Sequence, residues 1–365
     1  GFLVKVKFTK ERCYLNGLDY NTGSEWVLCS GGDSSSTGSG AGTLTEGVVV
    51  DSAGNSYFTG WFSGTTVFGS TILTSSGKSD IFVAKFNSLG ILNWVVTAGG
   101  EGIDESNSIA LHSSSNQIYI TGSFRGTADF GTTTLNSGGT NIKSIFVAKL
   151  SSSGSWQWAK SAGSSYGDQG LDLVVDSSGY AYVTGTFQSP ASSSATFGNH
   201  SITSAGANDV FVAKISPGGS WGCAARAGGS SWESAGGIAL DSNGAIFVSG
   251  GFEGTATFGV NSINLTSSGQ KDIFIAKISS SCTWQWAHKE GGSGDDAAKD
   301  ITLDSNDKIY VTGYFGGTVN FGNSSSLTSN GVEDIFVLKL NQSNSILSTS
   351  WVVKAGSVWS DYGAN

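Results

Sequence analysis

The phrase SDIFVAKFNSLGILNWVVTAGG at residues 79–100 returns as KSIFVAKLSSSGSWQWAKSAG, NDVFVAKISPGGSWGCAARAGG, KDIFIAKISSSCTWQWAHKEGG and EDIFVLKLNQSNSILSTSWVVKAG. Repetition at a fixed period constrains a fold strongly, because each copy must bury its apolar face against the next. The lysine of the F-x-x-K phrase stands at Lys5, Lys85, Lys149, Lys214, Lys277 and Lys339; after the first interval of 80 the spacings are 64, 65, 63 and 62. A second phrase (YFTGWF, YITGSF, YVTGTF, FVSGGF, YVTGYF) carries Gly60, Gly122, Gly185, Gly250 and Gly313, and a Phe-Gly pair begins at Phe68, Phe130, Phe197, Phe258 and Phe321. The repeat is about 63 residues long.

Four strand-like segments fill each repeat. The first is a short, nearly continuous apolar run (GVVVD, SIALH, DLVVD, GIALD, DITLD) suited to a strand buried on both faces. A turn such as DSAGN or DSNGA follows, then the YVTGTF phrase, a Ser/Thr/Gly-rich connection, the DIFVAK strand and a tryptophan-bearing strand. Alternation of side chains along a strand predicts that both rings of WQWAK share one face. Four antiparallel strands per repeat at constant period indicate an all-β chain, a β-propeller of four-stranded blades. The complete repeats run over 47–100, 108–163, 171–229, 236–292 and 300–356, here numbered I to V.

The ends of the chain are out of phase with the repeat. FLVKV aligns with IFVAK and EWVLCSGG with NWVVTAGG, so residues 1–32 read as the outer hairpin of an incomplete blade carrying an insertion. Residues 33–46 read as a flexible connection, and 357–365 as the lead-in to a missing strand. One propeller domain of five repeats plus one outer hairpin results: six blades, or seven in a longer parent chain. Three explanations compete: the sequence is an excerpt of a longer protein with six or seven blades, which ranks first; the missing strands come by strand addition from other copies of the chain or another surface protein; or the ring is left open, which ranks last because open edges promote aggregation.

Trp94, Trp158 and Trp286 lie nine residues after the repeat lysine, Trp351 twelve after and Trp26 twenty-one after; all are assigned to packing between blades. In repeat III the position is Cys223, and Trp221 is expected to fill its space from the same face, with looser local packing. The stretches DSNGAIFVSGGFEGTATFG, TSSGQKDIFIAK and WQWA resemble a secreted or cell-surface family of β-propeller repeats, about 60 residues each, named for seven blades. The resemblance covers almost the whole chain and implies the fold, but no reaction. The WD40 blade is a poorer match, for want of a regular Trp-Asp pair and a shorter period.

Fifty-four glycines against two prolines disfavour helix. Charged residues are only 13% and the net charge is −9, which argues against nucleic acid as a partner. No apolar run reaches the roughly 20 residues of a membrane helix, so no membrane insertion is expected. Low charge, abundant Ser/Thr and four N-x-S/T sequons, at Asn199, Asn264, Asn323 and Asn341, suit an extracellular or cell-surface setting and N-glycosylation. Cys13 and Cys29 share one hairpin and form a candidate disulfide, whereas nothing in the spacing pairs Cys223 with Cys282.

Asp104, Asp168, Glu233, Asp296 and Asp361 each stand ten residues after the tryptophan position. Two readings compete: a ring that binds a cation or polar ligand, calcium being the cofactor it would take, and caps on backbone N–H groups at blade junctions. Their recurrence favours caps. A second set is Asp80, Asp209, Asp272 and Asp334; a third, Asp51, Asp176, Asp241 and Asp304, closes the first strand and belongs to the turn. GSSYG at 163–167 lacks the strand–turn–helix context of a nucleophile elbow, the three histidines occupy unrelated positions, and no zinc spacing occurs. No catalytic residue, metal ligand or obligatory cofactor is assigned. The chain reads as a non-enzymatic surface scaffold with a structural, adhesive or assembly role, ahead of a glycan-binding propeller and, further behind, a hydrolase. Trp61, Tyr166, Trp232, Tyr314 and Trp359 are the aromatics that a glycan-binding surface could use.

Overall fold

The computed structural model describes residues 31–32, 42–188, 190, 193–259, 263–322, 325–343 and 346–361. The described residues are all-β, 69% of them in strands and none in a helix, in a repeat fold of the β-propeller type. The chain forms two compact units, one ending and the other beginning within repeat II. In the first unit, Thr43–Val50, Ser56–Phe62, Asp80–Phe86 and Leu92–Ala98 pair in chain order as one antiparallel meander. Repeat III of the second unit has the same order in Gly167–Val175, Ala181–Gln188, Asn208–Ile215 and Trp221–Gly229. Repeats IV and V repeat it. First strands begin a few residues ahead of the sequence-derived boundaries, so Thr43–Val50 takes in the end of the 33–46 connection. Residues 1–30 and 33–41 lie outside the described residues, and with them the N-terminal hairpin, Cys13, Cys29 and Trp26.

Two irregularities recur. The first strand slips in register at Thr45/Gly47, Gly170/Asp172, Ala235/Ile238 and Ala298/Asp300. The glycine of the YVTGTF phrase sits opposite this slip: a Cβ on Gly185 would overlap the Gln169 carbonyl oxygen and crowd Phe211. That close approach is why the phrase keeps its glycine.

The second irregularity overturns the expectation for the paired tryptophans. Lys277 pairs with Trp286 while the next residue, Ile278, pairs with Trp284, leaving Gln285 as a bulge. A bulge reverses the alternation, so the two rings take opposite faces. Trp284 joins the cluster of Phe258, Phe274 and Ile278 with repeat III, and Trp286 the cluster of Phe247, Ile301 and Phe336 with repeat V. The same slip occurs at Lys85/Phe86, Lys214/Ile215 and Lys339/Leu340. Trp221 therefore lies opposite Ile215, on the other face from Cys223, and cannot fill its space.

The Ser/Thr/Gly connection is itself a hairpin, which sequence reading passed over. Thr65–Phe68 pairs with Thr71–Thr74, and Ser194–Phe197 with His200–Thr203. These small hairpins join the fourth strand of the preceding repeat: Ala227, Gly228 and Gly229 pair with Phe258, Thr257 and Ala256, and Gly291 and Gly292 with Asn320 and Val319. The glycines ending AGG and EGG permit this, because a Cβ on Gly229 would overlap the Thr255 carbonyl oxygen. Replacing Gly229 by Ala is expected to cost more than about 2 kcal/mol in urea unfolding. Gly218→Ala, at a site with no heavy atom closer than 4.0 Å, should stay within about 0.5 kcal/mol of the parent.

Candidate functional site

The acids between one repeat and the next are caps. Asp104 accepts from Gly100 N at 2.8 Å and Arg125 N at 3.1 Å; Asp168 from Ser164 N and, at 3.1 Å, Gln188 N; Asp296 from Gly292 N at 2.7 Å and Gly316 N at 2.9 Å. Glu233 accepts from Gly229 N at 2.9 Å, and Asp361 from Ser357 N at 2.6 Å. Each thus reaches back four residues to a strand end, and three of them also forward to the end of the second strand. The second set acts alike: Asp80, Asp209, Asp272 and Asp334 accept from Ser76, Ala205, Ser268 and Asn330. Arg226, Lys289 and Lys354 neutralise the last three at 3.4, 3.2 and 3.1 Å. Among the described residues, no group of three or more His, Cys, Asp or Glu side chains is placed to hold a metal ion.

Burial in a poorly hydrated junction raises these carboxyls, with hydrogen bonds opposing it: Asp104 to about 7, Asp168 to about 6, Glu233 to about 8 and Asp296 to about 6. Glu233 is raised further by the neighbouring Asp209. Asp300, which the sequence reading did not single out, is raised to about 6 by burial and by Asp172. A carboxyl with a raised folded pKa holds its proton more tightly when folded. Its contribution to stability is full at acid pH and is lost as pH rises through the folded value. The melting temperature is therefore expected to fall between pH 5 and 8.5, by calorimetry, and Glu233→Gln should flatten the upper part of that fall.

The third acidic set works at the turn after the first strand. Asp51 accepts from Ala53 N and Asn55 N through one oxygen and from the Tyr57 hydroxyl through the other. Asp176 and Asp304 do the same with Tyr182 and Tyr310. Repeat IV has Phe247 in place of the tyrosine; Lys277 pairs with Asp241 there at 3.4 Å, as Lys339 does with Asp304 in repeat V at 3.8 Å. The repeat lysine lies over this aromatic ring in all five repeats, 4.7–5.2 Å from its centroid. The tryptophan opposite the lysine packs edge-on to the same ring: Trp94 on Tyr57, Trp158 on Tyr119, Trp286 on Phe247 and Trp351 on Tyr310.

Repeat III departs from this pattern, and the departure corrects the cysteine reading. Cys223 stands opposite Lys214, where the other repeats have tryptophan, and is disulfide-bonded to Cys282 with Cα atoms 6.0 Å apart. Cys282 occupies the turn of the next repeat's hairpin, at a position held by Gly90, Gly154 and Gly219 elsewhere, and has φ +58° against +75° to +83° for those glycines. The reason for the pairing is visible one junction earlier, where a Cβ on Gly154 would come within 2.9 Å of the Trp94 ring. At that junction Trp94 of repeat I meets Gly154 of repeat II, and the disulfide takes the corresponding place between repeats III and IV. The clue in the sequence was positional: repeat III has Cys223 in place of tryptophan, and repeat IV has Cys282 in place of the turn glycine.

A cleft of about 400 Å³ lies between repeats III and IV, lined by Asp176, Tyr180, Tyr182, Lys214, Asn243 and Ser280 among others. The remaining assigned residues scatter. Asn199 is exposed in the tight turn of a small hairpin, Asn264 is exposed with its side-chain oxygen accepting from Thr257, Asn341 is half-buried, and Asn323 lies outside the described residues. Tyr166, Trp232 and Trp359 are exposed, whereas Tyr314 is buried and Trp61 half-buried. Ser164 of GSSYG donates to Asp168, with no helix behind it.

No family model matches the chain. An uncharacterized WD repeat-containing protein of Acanthamoeba polyphaga mimivirus is 27% identical over 235 residues, covering 55% of this chain. This chain spans only 16% of that relative's length. The likeness agrees with a propeller-type repeat.

Proposed function

We propose that the chain is a non-enzymatic β-propeller scaffold that works at a cell surface or in the extracellular space, in adhesion or assembly, with other copies of itself or another surface protein as partners. The observation that carries this reading is the bond between Cys223 and Cys282, which replaces a packing contact at one repeat junction. Disulfides persist in oxidising compartments and are rare in reducing ones. A junction that relies on one is suited to the former. The exposed sequons Asn199 and Asn264 favour the same setting. The buried acids support a scaffold rather than an enzyme, since their bonds to strand-end backbone recur from junction to junction. The mimivirus relative, named for its WD repeats, is in keeping with a scaffold built from repeats.

Non-reducing peptide mapping of the protein from its natural source tests the reading. A cross-linked Cys223/Cys282 peptide is expected, together with a loss of about 2–4 kcal/mol of stability on reduction or in Cys223→Ser/Cys282→Ser. Freely alkylated thiols at both positions in protein isolated under quenching conditions would overturn the extracellular assignment.

A further inference from the structure

We propose that the cleft between repeats III and IV is a binding site for a pyranose sugar, free or at the end of a glycan. The inference stands on the shape and lining of the cleft and does not depend on the compartment or on the scaffold role.

Beside the cleft, repeat III breaks the symmetry twice. Cys223 removes the indole that elsewhere packs on the second-strand aromatic, leaving Tyr182 without the edge-on ring that Tyr57, Tyr119, Phe247 and Tyr310 receive. Two residues before that aromatic the other repeats have Asn55, Gln117, Ala245 and Lys308, whereas repeat III has Tyr180. One ring is thus withdrawn and another supplied at the side of the same space. The disulfide ties the same two repeats together. A volume near 400 Å³ lies at the small end of ligand clefts.

The polar groups are those a polyhydroxylated ring requires. Lys214 Nζ lies 4.2 Å from the Tyr180 centroid and donates to the Ser280 carbonyl at 3.3 Å, which commits one of the three donors of an ammonium. Asp176 Oδ2 takes the Tyr182 hydroxyl at 3.3 Å and has further lone pairs. The exposed Asn243 carboxamide offers a donor and an acceptor together. A donor and an acceptor side by side match vicinal hydroxyls, each of which both gives and takes a hydrogen bond. The half-buried Tyr180, its ring covered by the Lys214 ammonium, gives an apolar edge and a hydroxyl at the side of the cleft. A phosphate or nucleotide fits less well, because Lys214 is the one cation of the lining and a carboxylate stands near it. A purely apolar ligand would leave these groups desolvated and unpaired.

The test is saturation-transfer NMR followed by calorimetric titration with D-glucose, D-galactose, D-mannose, N-acetylglucosamine and D-glucuronic acid. It compares the parent chain with Tyr180→Ala and with Cys223→Trp/Cys282→Gly. The double variant places an indole opposite Lys214 and against Tyr182, a lining residue, as the other repeats have it. Saturable binding of at least one sugar in the millimolar range is expected, weakened about tenfold by Tyr180→Ala and abolished in the double variant. Preference for glucuronic acid would mark Lys214 as a carboxylate partner, and preference for a neutral sugar the Lys214/Asp176 pair; both support the site. Failure of all five sugars to saturate the parent would overturn the proposal, as would binding by both variants equal to the parent's. If the double variant does not fold, Tyr180→Ala decides alone, since Tyr180 is only partly buried.

Discussion

The single-residue bulge opposite the repeat lysine is the constraint on which the packing rests. Without it, two aromatic side chains two residues apart would crowd one face of the fourth strand and leave the other with little to bury. With it, Trp284 meets Phe258 at 5.3 Å on one side and Trp286 meets Phe247 at 5.9 Å on the other. A buried indole removes about 150–250 Å² from water. One added backbone position thus gives a sheet two sticky faces, which a repeat stacked on both sides needs.

The polar side of the junctions obeys a similar economy. Strand ends there expose N–H groups that water cannot reach, and carboxylates four residues away accept from them. Cations balance the second acid in repeats III to V, from Arg226, Lys289 and Lys354. In repeat I the corresponding residue on the fourth strand is Thr97, opposite Phe82, so the Asp80 and Asp104 pair lacks that cation. Raised carboxyl values follow from burial, and in a repeat protein they mark load-carrying polar contacts as readily as chemistry. A departure from the repeat, as at Cys223 and Tyr180, is the better guide to function.

Much of the architecture was legible in the residues. The period, the four strands, the turn acids Asp51, Asp176, Asp241 and Asp304 and the capping role of Asp104 and its equivalents all follow from spacing and side-chain chemistry. What was not legible depends on backbone detail. A bulge leaves no residue signature of its own, so Trp221 looked able to replace the missing ring when it faces the other way. The small hairpins were hidden because Ser, Thr and Gly suit both loops and exposed short strands, and only the close contact at Gly229 shows why the glycines recur. The two cysteines of the disulfide do not hold equivalent positions in the repeat, so spacing alone does not pair them. They hold complementary ones.

The small hairpins displace the hydrogen-bonded module from the sequence repeat. Backbone pairing at Ala227–Gly229 ties repeat III to residues 256–258 of repeat IV, across the point where one copy of the motif gives way to the next. A segment duplicated or deleted by recombination at that boundary carries half of a joint and must find the other half in its new neighbour. Because a glycine recurs at Gly99, Gly163, Gly228 and Gly291, each paired with a hairpin of the same kind, the halves are interchangeable. Growth or loss of repeats by unequal exchange then leaves the seams intact, and the cysteine pair marks a junction where that freedom has been given up.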